Sequence, residues 1–301
     1  MEPIRHLSEI ADLCKARQKR VLSVAYGEDP HTIGAIAGAV NENMVDAIIT
    51  GHKGRIEKVA SDKGVDPSIF TIIDIPDEKS AAKEAVRLVK SGRAHFLMKG
   101  LCGTSTYMRA ILDKEEGLME KGALLSHVTV IEIPTYPKLL ILSDVAVLLA
   151  PTLKDKVKMI GYCTEIAHKL GIETPKAAII CAVEKVNPKM PATLDAAILS
   201  KMADRGQIKG VIVDGPLALD VAVSKECAEI KHLESDVAGD ADIFILPNIE
   251  TANVFYKSLT QLANGKLAAV VTGATCPCVL TSRGDTDESK FFSIALAALM
   301  S

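Results

Sequence analysis

The segment Cys276-Pro-Cys-Val-Leu-Thr-Ser-Arg-Gly-Asp285 directly follows the apolar run Lys266-Leu-Ala-Ala-Val-Val-Thr-Gly273. A buried-strand pattern that empties into hydroxyls, a guanidinium and acids predicts a strand-end turn. In α/β proteins such turns lie at the ligand crevice. Arg283 offers a planar fork of donors matched to phosphate oxygens, and Ser282 places a hydroxyl beside it. The plainer reading is an N-cap by Asp285 or Thr286 with Arg283 in a surface pair. The convergence of hydroxyl, cation and acids favours chemistry.

Four further polar clusters sit where strands are predicted to end. In Lys99-Gly-Leu-Cys-Gly-Thr-Ser-Thr-Tyr-Met-Arg109 a strand runs into a turn and then a helix whose first turns carry Arg109. Helix-start N–H groups, the Thr104 hydroxyl and the guanidinium make an anion cradle, unless Thr104 or Ser105 merely caps the helix. In Leu125-Ser-His-Val128, His127 reads as a general base beside Ser126, or as a hydrogen-bonded histidine at a strand start. Glu184-Lys-Val-Asn-Pro-Lys-Met-Pro-Ala-Thr193 is a rigid polar loop whose Lys185 and Lys189 either meet phosphate or are simply solvated. Asp214 closes a short apolar strand before Gly-Pro turns the chain into a helix, as a functional acid or a cap.

Strands and helices must alternate to position these groups. Strand patterns cover 20–26, 47–50, 70–75, 94–99, 128–133, 139–142, 176–183, 210–214, 243–246 and 267–272. Amphipathic helices are predicted over 77–90, 153–170, 194–204 and 287–300, which is the signature of an α/β fold with largely parallel strands. The strands at 128–133 and 139–142 have no helix between them and read as a hairpin, a natural passage into a second domain. A length of 301 residues also favours two domains. The expected division is 1–130 plus 275–301, completed by the C-terminal helix, and 131–274.

A net charge of −3 gives no electrostatic footprint for nucleic acid. Residues 1–9 lack a signal-peptide core, and the apolar run 139–150 is too short to span a bilayer. Seven cysteines at scattered spacings suit a reducing cytoplasm. No Gly-rich dinucleotide turn, phosphate-binding loop or His-Glu-x-x-His motif is present, which disfavours the usual nicotinamide and metal enzymes.

Together the clusters resemble the phosphate acetyl/butyryltransferase family from Val21 to Ala298. The resemblance is carried by Leu97-Met-Lys-Gly100, Thr104-Ser-Thr-Tyr-Met-Arg109, Leu124-Leu-Ser-His127, Val186-Asn-Pro-Lys-Met-Pro-Ala-Thr-Leu-Asp195, Lys201-Met-Ala-Asp-Arg-Gly-Gln207, Val213-Asp-Gly-Pro-Leu-Ala-Leu-Asp220, Val254-Phe-Tyr-Lys-Ser258 and Leu280-Thr-Ser-Arg283. The Lys-Gly at 99–100, Ser-His at 126–127 and the 187–193 segment look like its butyryl branch. The resemblance implies reversible acyl transfer between acyl-CoA and inorganic phosphate, giving acyl phosphate and CoA. A preference for acetyl-CoA, or a decarboxylating dehydrogenase on a related fold, are the alternatives.

It also implies two α/β domains similar to isocitrate and isopropylmalate dehydrogenases, an interdomain cleft, a homo-oligomer, and no resident cofactor or metal. Ser282 and Arg283 match a Ser-Arg pair of the acetyl branch, and Arg109 matches an arginine there, with Ala110 replacing a proline. An acid of that branch is Ser289 here, so Asp287 or Asp285 stands in as base. The expected catalytic set is Ser282, Arg283 and Asp287. Lys99, Thr104, Arg109, Ser126, His127, Lys189 and Asp214 are expected to bind substrate.

Overall fold

Four consecutive buried residues, Phe96–Lys99, form a strand with a parallel neighbour on each side. A run buried on both faces carries no polar alternation, as parallel strands covered by helices require. In a computed structural model that describes residues 2–281 and 284–301, the chain divides into two compact units. One comprises Leu7–Leu125 and Ala268–Ser301. The other comprises the residues up to His6 together with Ser126–Leu267.

The strands in chain order are β1 (Arg20–Ala25), β2 (Val45–Gly51), β3 (Thr71–Asp74), β4 (Phe96–Lys99), β5 (Ser126–Glu132), β6 (Leu140–Ser143), β7 (Lys176–Ile180), β8 (Ile212–Leu217), β9 (Ile243–Ile245), β10 (Lys266–Thr272) and β11 (Cys278–Val279). In the first unit the order is β3-β2-β1-β4-β11-β10. All its neighbours run parallel except β10 and β11, whose register pairs Val271 with Cys278. The carboxyl ends of β1, β2, β4 and β11 therefore reach one edge of the sheet.

Helix Pro30–Asn41 starts on that edge. Its N-cap Asp29 accepts the Thr32 N–H at 2.9 Å, and Pro30 supplies the pre-set φ of a first helical turn. The closing helix Asp287–Met300 differs from the amphipathic expectation, because Phe292–Leu299 are all buried. Helices Leu7–Lys15 and Pro30–Asn41 pack against it, and the Cys14 thiol reaches the Ala295 carbonyl at 3.3 Å. An apolar helix enclosed in this way has no solvent face to keep polar.

In the other unit the order is β5-β6-β9-β7-β8. The hairpin expected near residue 134 is the antiparallel β5–β6 pair, with Val128 opposite Ser143 and Ile131 opposite Leu140; the remaining pairs are parallel. Helix Leu153–Lys169 begins with a reciprocal Thr152/Asp155 capping box. The Ile4 N–H donates to Leu170 O at 2.9 Å, and His6 meets Glu132 at 2.9 Å, which ties residues 2–6 to this unit.

The unit boundaries differ from the expected divisions over 1–6, 126–130 and 268–274. β5 is continuous from Ser126, so the division falls in front of it, while β10 is held through Val271 to β11. β8 also corrects an expectation, because it continues through Asp214 to Leu217 and the next helix is Leu219–Val223. Gly215 stays in the strand because a Cβ there would lie 2.8 Å from Ile179 Cβ. β7 and β8 slip register at this point, as a glycine bulge does. No helix among the described residues is long and apolar enough to cross a membrane.

Candidate active site

The first unit concentrates polar groups where β1 and β4 end. Gly100 N–H donates to Ala25 O at 2.9 Å, and Leu101 N–H to Tyr26 O at 2.8 Å. A Cβ on Gly100 would stand 2.4 Å from Tyr26 O, so only glycine lets the two strand-end loops meet. Tyr26 itself is held at φ 58°, a backbone region costly for a bulky residue.

Lys99, the last residue of β4, is buried and donates to Gly100 O at 3.0 Å and Cys102 O at 3.2 Å. Lys290, one turn into the closing helix, is buried as well, with its Nζ 3.4 Å from the Thr281 hydroxyl. Both lysines line one cavity of about 110 Å³ with Asp29, His31, Thr32 and Thr281. Two lysines against the one carboxylate of Asp29 weight the cavity towards positive charge, as an anion site requires. Ser282 and Arg283 follow Thr281 in the chain and lie outside the described residues.

Asp287 opens the closing helix. Its carboxylate is 2.5 Å from His31 Nδ1 and 2.8 Å from Lys63 Nζ. Burial acts to raise its pKa, but the hydrogen bonds from Lys63 and His31 prevail and hold the carboxyl below its ordinary value. That weakens Asp287 as a proton acceptor and strengthens it as a fixed negative charge.

The expected Lys99–Arg109 cradle is spread over two cavities. Gly103 is the N-cap of helix Thr104–Ile111, its N–H donates to Glu78 at 2.9 Å, and no side chain caps the helix. Capping by Thr104 or Ser105 is therefore absent, and Thr104 is exposed. Arg109 sits in the last turn of this helix, not its first, because the helix spans only Thr104–Ile111. It lines a cavity of about 200 Å³ with Lys79, Lys83, Thr106 and Asp113. Asp113 accepts the N–H groups of Glu115 and Glu116. Cys102 is buried with its thiol 3.4 Å from Ala25 O, and burial pushes its pKa up to about 11 against the opposing effect of Lys99. Such a thiol is a poor nucleophile.

The remaining candidates belong to the other unit. Ser126 and His127 are buried at the start of β5. Asp144 accepts the Ser126 hydroxyl at 3.0 Å and the His127 N–H at 2.7 Å, while Thr129 Oγ1 lies 3.2 Å from His127 Nδ1. Lys189 is exposed in its loop, with its N–H bonded to Asn187 Oδ1 at 3.0 Å. Asp214 is half-buried within β8 and accepts the Gly215 N–H at 2.7 Å.

This unit also holds the larger cavity, about 480 Å³, at the carboxyl ends of β7 and β9. Its walls include Ile180, Met190, Leu219, Leu246 and Phe255. They suit a hydrocarbon body and offer no cation to a phosphate. The small lysine-lined cavity therefore fits the anion chemistry better, despite its size.

Sequence reasoning missed His31, Lys63 and Lys290. His31 follows Asp29-Pro30 at the end of a strand, the same signal that singled out the other clusters. Lys290 was visible as the one lysine in the closing helix, directly ahead of its apolar run. No group of three or more His, Cys, Asp or Glu among the described residues could hold a metal ion.

Residues 78–298 match the model of the family described as phosphate acetyl/butaryl transferase. The chain belongs to the phosphate acetyl/butyryltransferase family. It is 47% identical to a phosphate butyryltransferase of Clostridium acetobutylicum, over 99% of this chain and 98% of that one. It is 45% identical to a phosphate acetyltransferase of Thermotoga maritima, over 97% and 99% respectively. The crystal structure of a branched-chain phosphotransacylase from Enterococcus faecalis V583 superposes with a TM-score of 0.82 and 33% identity, covering 93% of this chain and 98% of that one. The chain is accordingly an acyltransferase of this family, on the α/β architecture expected from its sequence.

Proposed function

We propose that this phosphate acetyl/butyryltransferase family member moves a short acyl group of the butyryl type reversibly between CoA and inorganic phosphate. The observation that carries the reading is the pair of buried lysines, Lys99 and Lys290, lining one small cavity beside Thr281. Phosphate must shed hydration before it attacks a thioester carbonyl, and fixed ammonium groups replace part of that hydration.

In this reading Arg283 aligns phosphate and offsets the charge that builds on the carbonyl oxygen, and Ser282 donates a hydrogen bond beside it. Asp287 contributes its fixed charge to the same reaction. Thr104 and Arg109 bind the CoA side of the substrate, with Lys79 and Lys83 around the Arg109 cavity adding charge for phosphate groups. Ser126, His127, Lys189 and Asp214 are the proposed substrate contacts of the other unit. CoA is substrate and product, so the chemistry calls for no resident cofactor. The seven free cysteines support a reducing, cytoplasmic setting. A homo-oligomer, and two domains of the isocitrate and isopropylmalate dehydrogenase kind, complete the proposal.

The test is phosphate-dependent release of CoA thiol from acetyl-, propionyl-, butyryl- and branched acyl-CoA. One methylene in an apolar pocket changes discrimination by only about 1–3 kcal/mol. We therefore expect a graded preference with butyryl-CoA at or near its top and slow turnover of acetyl-CoA. Highest catalytic efficiency with acetyl-CoA would overturn the butyryl assignment. No phosphate-dependent release from any member of the panel would overturn the acyl-transfer reading.

A further inference from the structure

Resting on that acyl-transfer reading, we infer that His31 carries the proton of the reaction and that Asp287 orients its ring. His31 lies in the first turn of helix Pro30–Asn41 and lines the cavity that Lys99, Thr281 and Lys290 also line. Its Nδ1 is 2.5 Å from one Asp287 oxygen, and Lys63 Nζ holds the other oxygen at 2.8 Å. The carboxylate is thus fixed on both sides.

Gly34, three residues beyond His31 on the same helix, makes this approach possible. A Cβ there would stand 2.5 Å from Asp287 Oδ2. A carboxylate on Nδ1 favours the tautomer with its proton on that nitrogen, leaving the Nε2 lone pair to accept another. Side-chain exposures of 54% for His31 and 41% for Asp287 leave the pair little to contribute to stability, while keeping the ring within reach of substrate.

The step balances without any added reagent. When CoA meets acyl phosphate, the thiol proton passes to Nε2 and the thiolate sulfur attacks the carbonyl carbon. A C–S bond forms, the C–O bond to phosphate breaks, and phosphate leaves with the electron pair. The imidazolium then returns its proton to phosphate. In the opposite direction the same nitrogen takes the proton of hydrogen phosphate and delivers it to the departing thiolate. Asp287 stabilises the intervening imidazolium; among the described residues, the charged groups facing this region include Asp29, Lys63, Lys99 and Lys290.

The experiment measures initial rates with butyryl phosphate and CoA for the parent chain and for H31A, H31N, H31Q and D287N, each checked by circular dichroism. Asparagine and glutamine keep a polar donor near Asp287 at a position that is 54% exposed, where surface substitutions usually disturb folding little. We expect the His31 variants to lose about a hundredfold in kcat, with KM for both substrates changing by less than about threefold. Added imidazole should restore part of the H31A rate. D287N should fall less, because the ring remains and loses only the group that orients it.

A folded His31 variant with kcat within about threefold of the parent would overturn the assignment, as would a loss carried by KM alone. A kcat loss in H31A that added imidazole does not relieve would also reject proton transfer by His31. A parent chain inactive with every acyl phosphate would instead sink the acyl-transfer reading, and this assignment with it.

Discussion

Asp144 Oδ2 accepts the backbone N–H of His127 at 2.7 Å, joining the turn after β6 to the start of β5. The same carboxylate accepts the Ser126 hydroxyl and, through its other oxygen, the N–H groups of Ala146 and Val147 at 2.8 Å. Four donors converge on one buried acid, so its replacement strands several of them. We expect Asp144→Ala to cost on the order of 3 kcal/mol or more, read from urea unfolding. A loss below about 1 kcal/mol would show that water or the backbone replaces the carboxylate.

The buried lysines and Arg283 have separable signatures. Lys99→Met keeps the length of the side chain but removes its donors, and should raise KM for phosphate about tenfold or more. Arg283→Ala should lower turnover by about a hundredfold, the typical cost of one preorganised transition-state donor. Arg283→Lys should remain impaired because the bidentate fork is gone. Near-normal turnover in folded Arg283→Ala would leave the Thr-Ser-Arg-Gly segment without a catalytic role.

Gly34→Ala inverts the usual relation between stability and activity. Alanine in a helix interior gains about 1 kcal/mol over glycine, yet here its methyl displaces the Asp287 carboxylate. Thermal unfolding should move little or upward while turnover falls about tenfold. Unchanged turnover would mean that Asp287 keeps its position or that its position is immaterial.

Cys102 should be silent. With its pKa up at about 11, the thiolate fraction at pH 8 is on the order of one part in a thousand. Cys102→Ala should keep kcat within about twofold, and iodoacetamide should not inactivate the protein through this residue. Stoichiometric alkylation of Cys102 with parallel loss of activity would contradict the burial seen here.

Acid sensitivity should appear at Asp240, which pairs with Lys138 at 2.6 Å and Lys176 at 2.7 Å. Burial acts to raise its pKa, but the two lysines bring it down to about 2. The unfolded carboxyl titrates near about 3.9, so the stabilisation is full above about pH 4 and is lost as pH falls through about 2. The group is 32% exposed, and screening limits the contribution to about 1 kcal/mol. Asp240→Asn should lose that amount at pH 7 and progressively less below pH 4, measured by urea midpoints. A pH-independent difference would assign the loss to packing.

Most strands and the β5–β6 hairpin were legible because each is a run of apolar residues bounded by Gly, Pro or polar residues. β11 was not, since two residues after Pro277 leave no pattern to read, and only the β4 and β10 neighbours make Cys278 a strand residue. Asp214 read as a strand end because Gly-Pro normally stops a strand; the tight packing of Gly215 on Ile179 overrides that rule. The site was legible as chemistry at strand ends but not as pairings. Nothing in the spacing of His31, Gly34, Lys63 and Asp287 reveals that the closing helix brings them together.

The chain passes between the two units at residues 6–7, 125–126 and 267–268. During synthesis the first unit must consequently wait, with most of its sheet already translated, until β10, β11 and the buried closing helix emerge last. A ribosome releasing the chain at residue 267 would leave β4 without its β11 neighbour and an uncovered apolar cleft beside helix Leu7–Lys15. Truncation before residue 268 therefore endangers the distant segment Leu7–Leu125, and quality control would meet such products as sticky, half-made units.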